Sequence, residues 1–314
     1  MYCNKIGNLF GYACINTELS SVPKSERIMT NRSMIKKTFD EKGLKYASEL
    51  SLLNTSDLIK IIKWNDSNGI KFFRISSEIF PWSSEYNLED LPDFSSIKKN
   101  LENVGSLALK LGHRLTFHPG PFNKLSSPND NIVSNTIKDL ETHGKIFDLM
   151  GFEKTTYNKI NIHIGAAYDD KKTSLYTFNK NLEKLSDSVR MRLTVENDDK
   201  ESLYSTLELY NGLYKVSGVP IVFDYHHHKF CTGGQSEEDA LLLALSTWEN
   251  IKPVTHYSES RSDEYREKCK PQAHSDFIYN KINNYNQKFD CMIEAKMKEQ
   301  ALIKYFNTHE KESL

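Results

Sequence analysis

The chain has 314 residues, of which 38% are apolar and 26% are charged. This composition excludes a collagen-like chain, a small disulfide-rich protein and a wholly disordered chain. The formal net charge of −1 speaks neither for nor against a nucleic acid partner, because bound metal ions change the local field without entering the count. No apolar run approaches the roughly 20 residues that a membrane helix needs, so we expect no membrane partner.

Two features of the sequence indicate the compartment. The five cysteines are odd in number and no two are spaced as C-x-x-C, which disfavours a disulfide framework and a cysteine zinc site. Residues 1–10 lack the basic start and the long apolar stretch of a secretion signal. We expect an intracellular protein, cytoplasmic or, in a eukaryotic host, nuclear. No segment indicates an obligate protein partner, and we expect a monomer.

Eight short apolar runs are predicted to be buried strands. In chain order they span residues 11–16, 70–76, 114–118, 159–164, 191–196, 219–225, 252–257 and 289–294. Helical stretches lie between them, and this alternation is typical of a parallel sheet. We predict an α/β protein, a (β/α)8 TIM barrel that forms a single domain over residues 1–314, with a polar tail after about residue 306. An open doubly wound sheet is the alternative, but no G-x-G-x-x-G follows the first strand.

Six helical segments are predicted from the spacing of apolar residues. The first is capped by Thr55, Ser56 and Asp57 and ends at Gly69. The others span residues 101–111, 129–149, 203–213, 236–248 and 295–306. Residues 22–51, rich in Lys, Ser and Thr, are predicted to form a long first connection with a helix of its own.

The third to eighth predicted strands each have a residue that can bind a metal ion at their last or second-last position. These residues are His118, His163, Glu196, Asp224, His256 and Glu294. In a barrel the carboxyl ends of the strands converge on one mouth, where active sites are built. A single His or Glu at a strand end is more often structural, but six in succession predict a shared metal site.

The chemistry of these side chains narrows the choice of metal and reaction. Imidazoles and carboxylates without a thiolate suit Zn²⁺, Mn²⁺ or Fe²⁺. The six strand-end residues outnumber the roughly three protein ligands that one catalytic ion takes, so we expect two or three ions. Clustered ions suit phosphoryl displacement, because they hold the attacking and leaving oxygens together. A metal-dependent sugar isomerase or epimerase on the same barrel would use a similar set and stays open.

Nine short motifs, in order along nearly the whole chain, resemble those of the UV damage endonuclease family. They are Gly11-Tyr12 with Asn16, Phe73-Arg74-Ile75-Ser76-Ser77, Phe117-His118-Pro119-Gly120, Ile162-His163-Ile164-Gly165, Glu196-Asn197-Asp198-Asp199, Phe223-Asp224 with the histidines at 226–228, His256-Tyr257-Ser258-Glu259, Ala273-His274-Ser275-Asp276 and Met292-Ile293-Glu294-Ala295-Lys296. The resemblance implies a TIM-barrel DNA repair enzyme. It implies nicking of duplex DNA immediately 5′ of UV photoproducts, cyclobutane dimers and 6-4 products, without ATP.

The resemblance also implies a polynuclear site for two or three divalent ions, with Mn²⁺ ahead of Zn²⁺ or Mg²⁺. Matched position by position, the implied ligands are His118, His163, Glu196, Asp224, His227, His256, His274 and Glu294. The carboxylates Glu196, Asp224 and Glu294 are the implied catalytic residues. Strand alternation would favour His226 and His228, whereas the family spacing selects His227.

Five residues are expected to contact DNA. Tyr12 and Asn16 match family residues that contact the damaged bases. Pro121 and Phe122 stand where the family has a Gln-Tyr pair that fills the space opposite the flipped dinucleotide. An aromatic ring is kept there and an amide is lost, so a general abasic-site endonuclease stays open. Arg261 is predicted to hold the DNA backbone.

Two further positions depart from the family pattern. Val254 stands where the family has a lysine that helps to hold the metals, and Lys252 is predicted to lie on the same face but deeper. A family histidine near Phe80-Pro81-Trp82 is missing here, and Glu85 is the candidate substitute.

Overall fold

The computed structural model describes residues 2–168, 170–265 and 269–310. Eight short strands lie in this part of the chain, each parallel to its neighbours. They are β1 (Phe10–Ala13), β2 (Phe72–Arg74), β3 (Arg114–Thr116), β4 (Ile160–Ile162), β5 (Leu193–Glu196), β6 (Ile221–Asp224), β7 (Val254–Tyr257) and β8 (Asp290–Ile293). Every predicted strand is present, and each is shorter than its predicted run.

The strands close into a barrel in the order β3-β2-β1-β8-β7-β6-β5-β4. Between β3 and β4 the ladder is reduced to one parallel bridge, between Phe117 and Ile160. The Phe117 N–H donates to Lys159 O at 2.9 Å, and the Asn161 N–H donates to Phe117 O at 3.0 Å. These bonds complete the circle, and the predicted (β/α)8 architecture is confirmed.

Alternate residues of the strands face the inside of the barrel. A small apolar cluster that contains Phe72, Val222, Val254 and Met292 is separate from the main core between strands and helices. On β6, on β7 and at the end of β8, the residue two positions after the member of this cluster points to the same side of the strand. Because side chains alternate with a period of two, polar side chains lie at the mouth of the barrel, above this apolar cluster.

Helices surround the barrel. The described helices are α1 (Thr17–Ser20), α2 (Lys36–Ser67), α3 (Phe94–Leu111), α4 (Asp130–Leu149), α5 (Lys171–Leu182), α6 (Asp187–Arg190), α7 (Thr206–Leu209), α8 (Lys215–Ser217), α9 (Tyr225–His228), α10 (Glu237–Leu245), α11 (Arg261–Tyr265) and α12 (Lys298–His309). Residues Tyr210–Tyr214 form a turn of π-helix between α7 and α8. In the described ranges, none of these helices is both long and apolar enough to cross a membrane.

Helix α2 differs most from its prediction. It begins at Lys36, so Thr55 lies inside it and the predicted cap at Thr55 is wrong. The Thr55 hydroxyl donates to Ser51 O at 2.9 Å, one turn earlier, because a short hydroxyl side chain can bond a helix carbonyl as well as cap a helix. Gly43, with a φ of +62°, breaks the regular helix, and the predicted first-connection helix lies within the same element.

Helix α5 was not predicted from the sequence. Its buried face contains Ser174 and Asn181 beside Leu175, Phe178 and Leu182. The two polar residues interrupt the apolar spacing on which the helix prediction depends. The spacing of apolar residues therefore does not reveal this helix, which tertiary packing stabilises.

Helices α3 and α4 approach closely at Gly105. A Cβ built on Gly105 would lie 1.7 Å from Met150 O, the carbonyl just after the end of α4. That carbonyl belongs to the backbone and has little freedom to move. A side chain at position 105 is therefore incompatible with this packing.

The amino end of the barrel is closed by buried charges. Arg114 Nη1 lies 2.9 Å from Asp290 Oδ2, and both side chains are buried. Lys252 Nζ lies 2.5 Å from Asp290 Oδ1. Lys252 is therefore deeper than the mouth, as predicted, and its amine is used by Asp290 at the opposite end.

Candidate metal centre

The carboxyl ends of the strands bring the predicted ligands together at the mouth of the barrel. Glu196 and Asp224 are the last residues of β5 and β6, and His256 lies in β7. Three more follow β3, β4 and β8 within two residues, namely His118, His163 and Glu294. Contacts between the side chains confirm that this end of the barrel gathers them.

Glu196 is the side chain that the others share. It is 1% exposed. Its Oε2 lies 3.0 Å from His118 Nε2 and 3.0 Å from His256 Nδ1, and it accepts a hydrogen bond from Asn161 Nδ2. Its Oε1 lies 3.4 Å from His227 Nδ1. One carboxylate thus faces imidazoles from three other strand ends.

Among the described residues, two groups of three side chains have ligand atoms close enough to hold an ion. They are His118, His163 and Glu196, and Glu196, Asp224 and His227, with the ligand atoms of each group within 4.8 Å of one another. Glu196 belongs to both groups. Asp224 Oδ2 is buried and has no hydrogen-bond partner in the described part of the chain. An unsatisfied buried carboxylate oxygen inside a ligand group fits a divalent cation.

Most of the imidazoles present the same nitrogen to the mouth. The partners of Nδ1 are Pro119 O for His118 at 3.3 Å, Asp198 Oδ1 for His163 at 2.9 Å, Asn197 O for His227 at 2.9 Å and Glu294 O for His274 at 2.8 Å. These contacts leave Nε2 as the nitrogen available to a ligand. Ligating histidines characteristically have the second ring nitrogen held in this way.

His256 is the exception. Its Nε2 lies 3.1 Å from the buried amine of Lys159, and its Nδ1 faces Glu196 Oε2 and Glu294 Oε1 at 3.0 and 3.1 Å. Glu294 also forms a short ion pair with Arg74. Two cationic side chains therefore approach this corner of the site, where the resemblance implied only ligands.

The two central carboxylates differ in their affinity for protons. Burial, together with the charges of Glu196 and Glu294, raises the pKa of Asp224 to about 7, against the opposing effect of His227. Burial also disfavours the charged form of Glu196, but His256 and His118 outweigh it and hold the Glu196 pKa well below its usual value. The two carboxylates therefore hold protons with different strength although they lie in the same buried site.

The imidazoles of the site also differ in their affinity for protons. Burial lowers the pKa of His256 to about 4. Burial acts in the same direction on His163, but the contact with Asp198 and the charges of Glu196 and Asp224 prevail and raise its pKa to about 10. A proton on His163 therefore offsets the surrounding carboxylates. A divalent cation would compete with that proton, since ligands bind metals in their deprotonated form.

The structure selects His227 from the three consecutive histidines. Strand β6 ends at Asp224, whose Oδ1 accepts a hydrogen bond from the His227 N–H at 2.8 Å and so caps α9. In a helical turn, residues three apart lie side by side, which brings His227 to Asp224. Strict alternation does not apply past Asp224. His226 is buried instead against Phe230 and His274, with ring centroids 5.2 and 5.8 Å away.

His274 lies beside the site, outside both groups of three. Residue 274 is bridged to Ser260 in the segment after β7. Besides bonding Glu294 O, its Nδ1 lies 3.9 Å from Glu294 Oε2. His274 thus stays an implied ligand whose nearest carboxylate is Glu294.

Tyr12 and Asn16, expected to contact damaged bases, are both buried. The Tyr12 hydroxyl donates to Asn65 Oδ1 on α2 at 2.7 Å and accepts from Asn16 Nδ2 at 3.0 Å. Asn16 Oδ1 caps α1 by accepting from the Leu19 N–H. Both side chains are therefore held in a buried hydrogen-bonded network, and Tyr12 faces the helical layer while Ala13 next to it faces the lumen.

The other expected DNA contacts are more accessible. Phe122, in the loop after β3, is 86% exposed, and its neighbour Pro121 is exposed as well. Arg261 is partly buried and pairs with Asp276, with Nη1 to Oδ1 at 2.9 Å. An exposed aromatic ring close in sequence to His118 is the feature that a base-stacking role requires.

The two positions that depart from the family pattern, Val254 and the candidate substitute Glu85, are not among the contacts of the site. Val254 belongs to the apolar cluster of the lumen, and Glu85 is exposed in the 3-10 turn Ser83–Glu85. Sequence reasoning missed the roles of Lys159 and Asp198. The spacing of residues 159, 161 and 163, which include and flank β4, contained the signal for Lys159, since alternation sends all three to one face.

The structure therefore defines a TIM barrel with an imidazole and carboxylate centre at its catalytic end. A family model described as UV-endonuclease UvdE matches residues 8–312. The chain belongs to this family.

Relatives named as endonucleases cover most of the chain. It is 37% identical over 311 residues to a UV-damage endonuclease of Schizosaccharomyces pombe, covering 96% of this chain and 50% of that protein. It is 34% identical to a UV DNA damage endonuclease of Bacillus cereus, covering 80% of this chain and 79% of the relative. The chain thus spans about half the length of the fission yeast protein.

Solved structures agree with the barrel assignment. The crystal structure of SacUVDE has a TM-score of 0.81 and 28% identity, covering 96% of this chain and 97% of that one. A D-psicose 3-epimerase from Clostridium cellulolyticum reaches a TM-score of 0.50 at 15% identity, over 76% of this chain and 78% of its own. At that identity the likeness shows the fold alone.

Proposed function

We propose that the chain is a metal-dependent DNA repair endonuclease that nicks duplex DNA immediately 5′ of UV photoproducts, cyclobutane dimers and 6-4 products, without ATP. The main support is that two ligand groups share Glu196 at the mouth of a barrel from this family. The proposed cofactor is Mn²⁺, with two or three ions per chain and Zn²⁺ or Mg²⁺ as substitutes. The chain acts as a monomer on damaged double-stranded DNA.

The residues of the site fit divalent ions in number and kind. His118, His163, Glu196, Asp224 and His227 form the two groups, and His256, His274 and Glu294 adjoin them. When bound, such ions supply water activation and stabilise the charge that develops on a phosphate during hydrolysis. The positive charge of the bound ions would be held in place by the carboxylates of Glu196, Asp224 and Glu294. Their fixed contacts keep the site organised before the substrate arrives.

We infer that the protein recognises the lesion by the weakened stacking of the damaged bases. A damaged dinucleotide costs less to extrude than a normal one, because part of its stacking and pairing is already lost. The exposed ring of Phe122, with Pro121 beside it, is available to fill the space that extrusion leaves. No base sequence needs to be read for this selectivity.

The deciding experiment uses three labelled duplexes with the purified protein and Mn²⁺. One carries a single cyclobutane dimer, one an abasic site, and one is undamaged. We expect a nick immediately 5′ of the dimer, with no ATP added and no cleavage in EDTA. The Glu196→Gln variant, matched by Glu201→Gln at an exposed position, shows whether this site performs the cleavage.

The other outcomes assign the protein differently. Cleavage of the abasic duplex alone would make it a general abasic-site endonuclease and would contradict the photoproduct proposal. Retained nicking by Glu196→Gln would remove the shared carboxylate from the reaction. No nick in any duplex, with Mn²⁺ bound, would contradict the endonuclease assignment and leave isomerisation of a sugar substrate as the next activity to measure.

A further inference from the structure

Asp198 is a buried carboxylate that belongs to neither ligand group. It lies two residues after β5 and is 5% exposed. Its N–H donates to Tyr204 O at 2.9 Å, and its Oδ2 accepts from the Tyr204 N–H at 3.2 Å. Its Oδ1 lies 2.9 Å from His163 Nδ1. The backbone of Tyr204 therefore fixes the carboxylate while one oxygen faces the imidazole.

We propose that Asp198 is the positioning residue of His163, holding the ring so that Nε2 is the ligating nitrogen. The inference rests on the proposed metal-dependent function. Oδ1 approaches away from the N–H direction, so the contact is an ion pair more than a linear hydrogen bond. A carboxylate behind a ligating imidazole orients the ring and increases its basicity towards the metal.

The neighbouring residue serves the second ligand group. Asn197 Nδ2 donates to Asp224 O at 3.0 Å, and Asn197 Oδ1 accepts from the Asp224 N–H at 2.8 Å. The main-chain carbonyl of Asn197 contacts His227 Nδ1. The segment that begins with the shared ligand Glu196 thus orients one ligand on each neighbouring strand. Asp198 does this for β4, and Asn197 does it for β6.

A purely structural role for Asp198 is less consistent with this geometry. The loop bonds to Tyr204 use the Asp198 N–H and Oδ2, and they leave Oδ1 with the imidazole as its partner. A ligand role is also disfavoured, because Asp198 is absent from the groups of described side chains whose atoms converge. The remaining function of Oδ1 is to orient His163.

The test measures Mn²⁺ binding by calorimetry for the wild-type protein and three variants. Asp198→Ala removes the carboxylate, Asp198→Asn keeps an oxygen without the charge, and Asp199→Ala is the control at the next, partly exposed position. We expect an affinity loss of about 10- to 100-fold in Asp198→Ala, a smaller loss in Asp198→Asn and wild-type affinity in the control. A structural role confined to the loop would leave Asp198→Asn like wild type.

A spectroscopic measurement reads the orientation itself. In the Zn²⁺-loaded, ¹⁵N-histidine-labelled protein, we expect ¹⁵N shifts that show a protonated Nδ1 and a metal-bound Nε2 on His163, a pattern that is lost in Asp198→Ala. Equal Mn²⁺ affinities and an unchanged His163 signal would overturn the proposal. If Asp198→Ala is unfolded by circular dichroism, the Asp198→Asn result decides. Absence of Mn²⁺ binding by the wild type would instead contradict the proposed function.

Discussion

At the residue scale, Glu196 connects the parts of the site. Because its carboxylate belongs to both ligand groups, Glu196→Gln removes one charged ligand that the two groups share. We expect nicking of a dimer duplex to fall by about 10³-fold or more, since metal-assisted charge stabilisation is worth several kcal/mol. Duplex binding, measured by fluorescence anisotropy, is expected to stay within a few-fold. Loss of binding together with cleavage would indicate a collapsed site.

Lys159 leads to a second prediction at this scale. Its amine is buried and contacts His256 Nε2, and no carboxylate lies within 4 Å of it in the described residues. Lys159→Met keeps the volume and removes the buried charge. We expect the free energy of unfolding in EDTA at pH 7 to rise by about 1–4 kcal/mol, measured by urea titration. Lys154→Met, at an exposed position, is the control and should change stability little.

The pH dependence gives this prediction a direction. Burial lowers the pKa of Lys159 to about 7 in the folded protein, against the attraction of Glu196 and Glu294, whereas an unfolded lysine titrates near 10.4. Between these values the unfolded chain binds more protons, so the Lys159 contribution to stability rises with pH. The advantage of Lys159→Met should therefore shrink from pH 7 to pH 9. A constant difference would contradict the lowered pKa.

Single residues also show where sequence reasoning stops. The strand-end ligands could be predicted because alternation and barrel convergence are regular. The choice of His227 required the family spacing, since the strand ends at Asp224 and a helical turn takes over. Asn197 and Asp198 lay within a recognised motif, yet their roles depend on contacts with other strands that no spacing encodes.

At the scale of elements, short buried strands were easier to predict than helices. Every strand residue except Arg74 is buried, as expected for a parallel sheet covered on both faces. Helix α2 contains a glycine with positive φ, and α5 buries serine and asparagine, so local patterns misjudged the start of one and missed the other. In both cases packing against the barrel overrides intrinsic preference.

Contact between α3 and α4 supports a prediction for Gly105→Ala. The new Cβ would overlap Met150 O, and the helices would have to separate. We expect a loss of unfolding free energy of about 1–3 kcal/mol, since overpacking against backbone has no side-chain rotation to relieve it. Ser106→Ala, at the exposed next position, is the control for helix propensity. Equal stability of the two variants would show that the interface adjusts without cost.

At the scale of the whole molecule, the proposed DNA substrate is compatible with a balanced net charge. It has 41 basic and 42 acidic residues. Several of the acidic residues are gathered at the mouth, where proposed metal ions would neutralise them, so the net charge understates the positive field that DNA would meet. The local charge that DNA would meet therefore depends on where the fold places these residues. It cannot be read from the overall composition.

This distribution predicts a steep salt dependence of DNA binding. With Glu196→Gln to prevent cleavage and Mn²⁺ held constant, log Kd for the dimer duplex should rise with log salt with a slope of about 3 or more, because each neutralised phosphate contributes about 0.9. An undamaged duplex should show a similar slope at weaker affinity, since backbone contacts are common to both and only extrusion of the lesion differs. A flat response for both duplexes would mean that the mouth holds no DNA backbone.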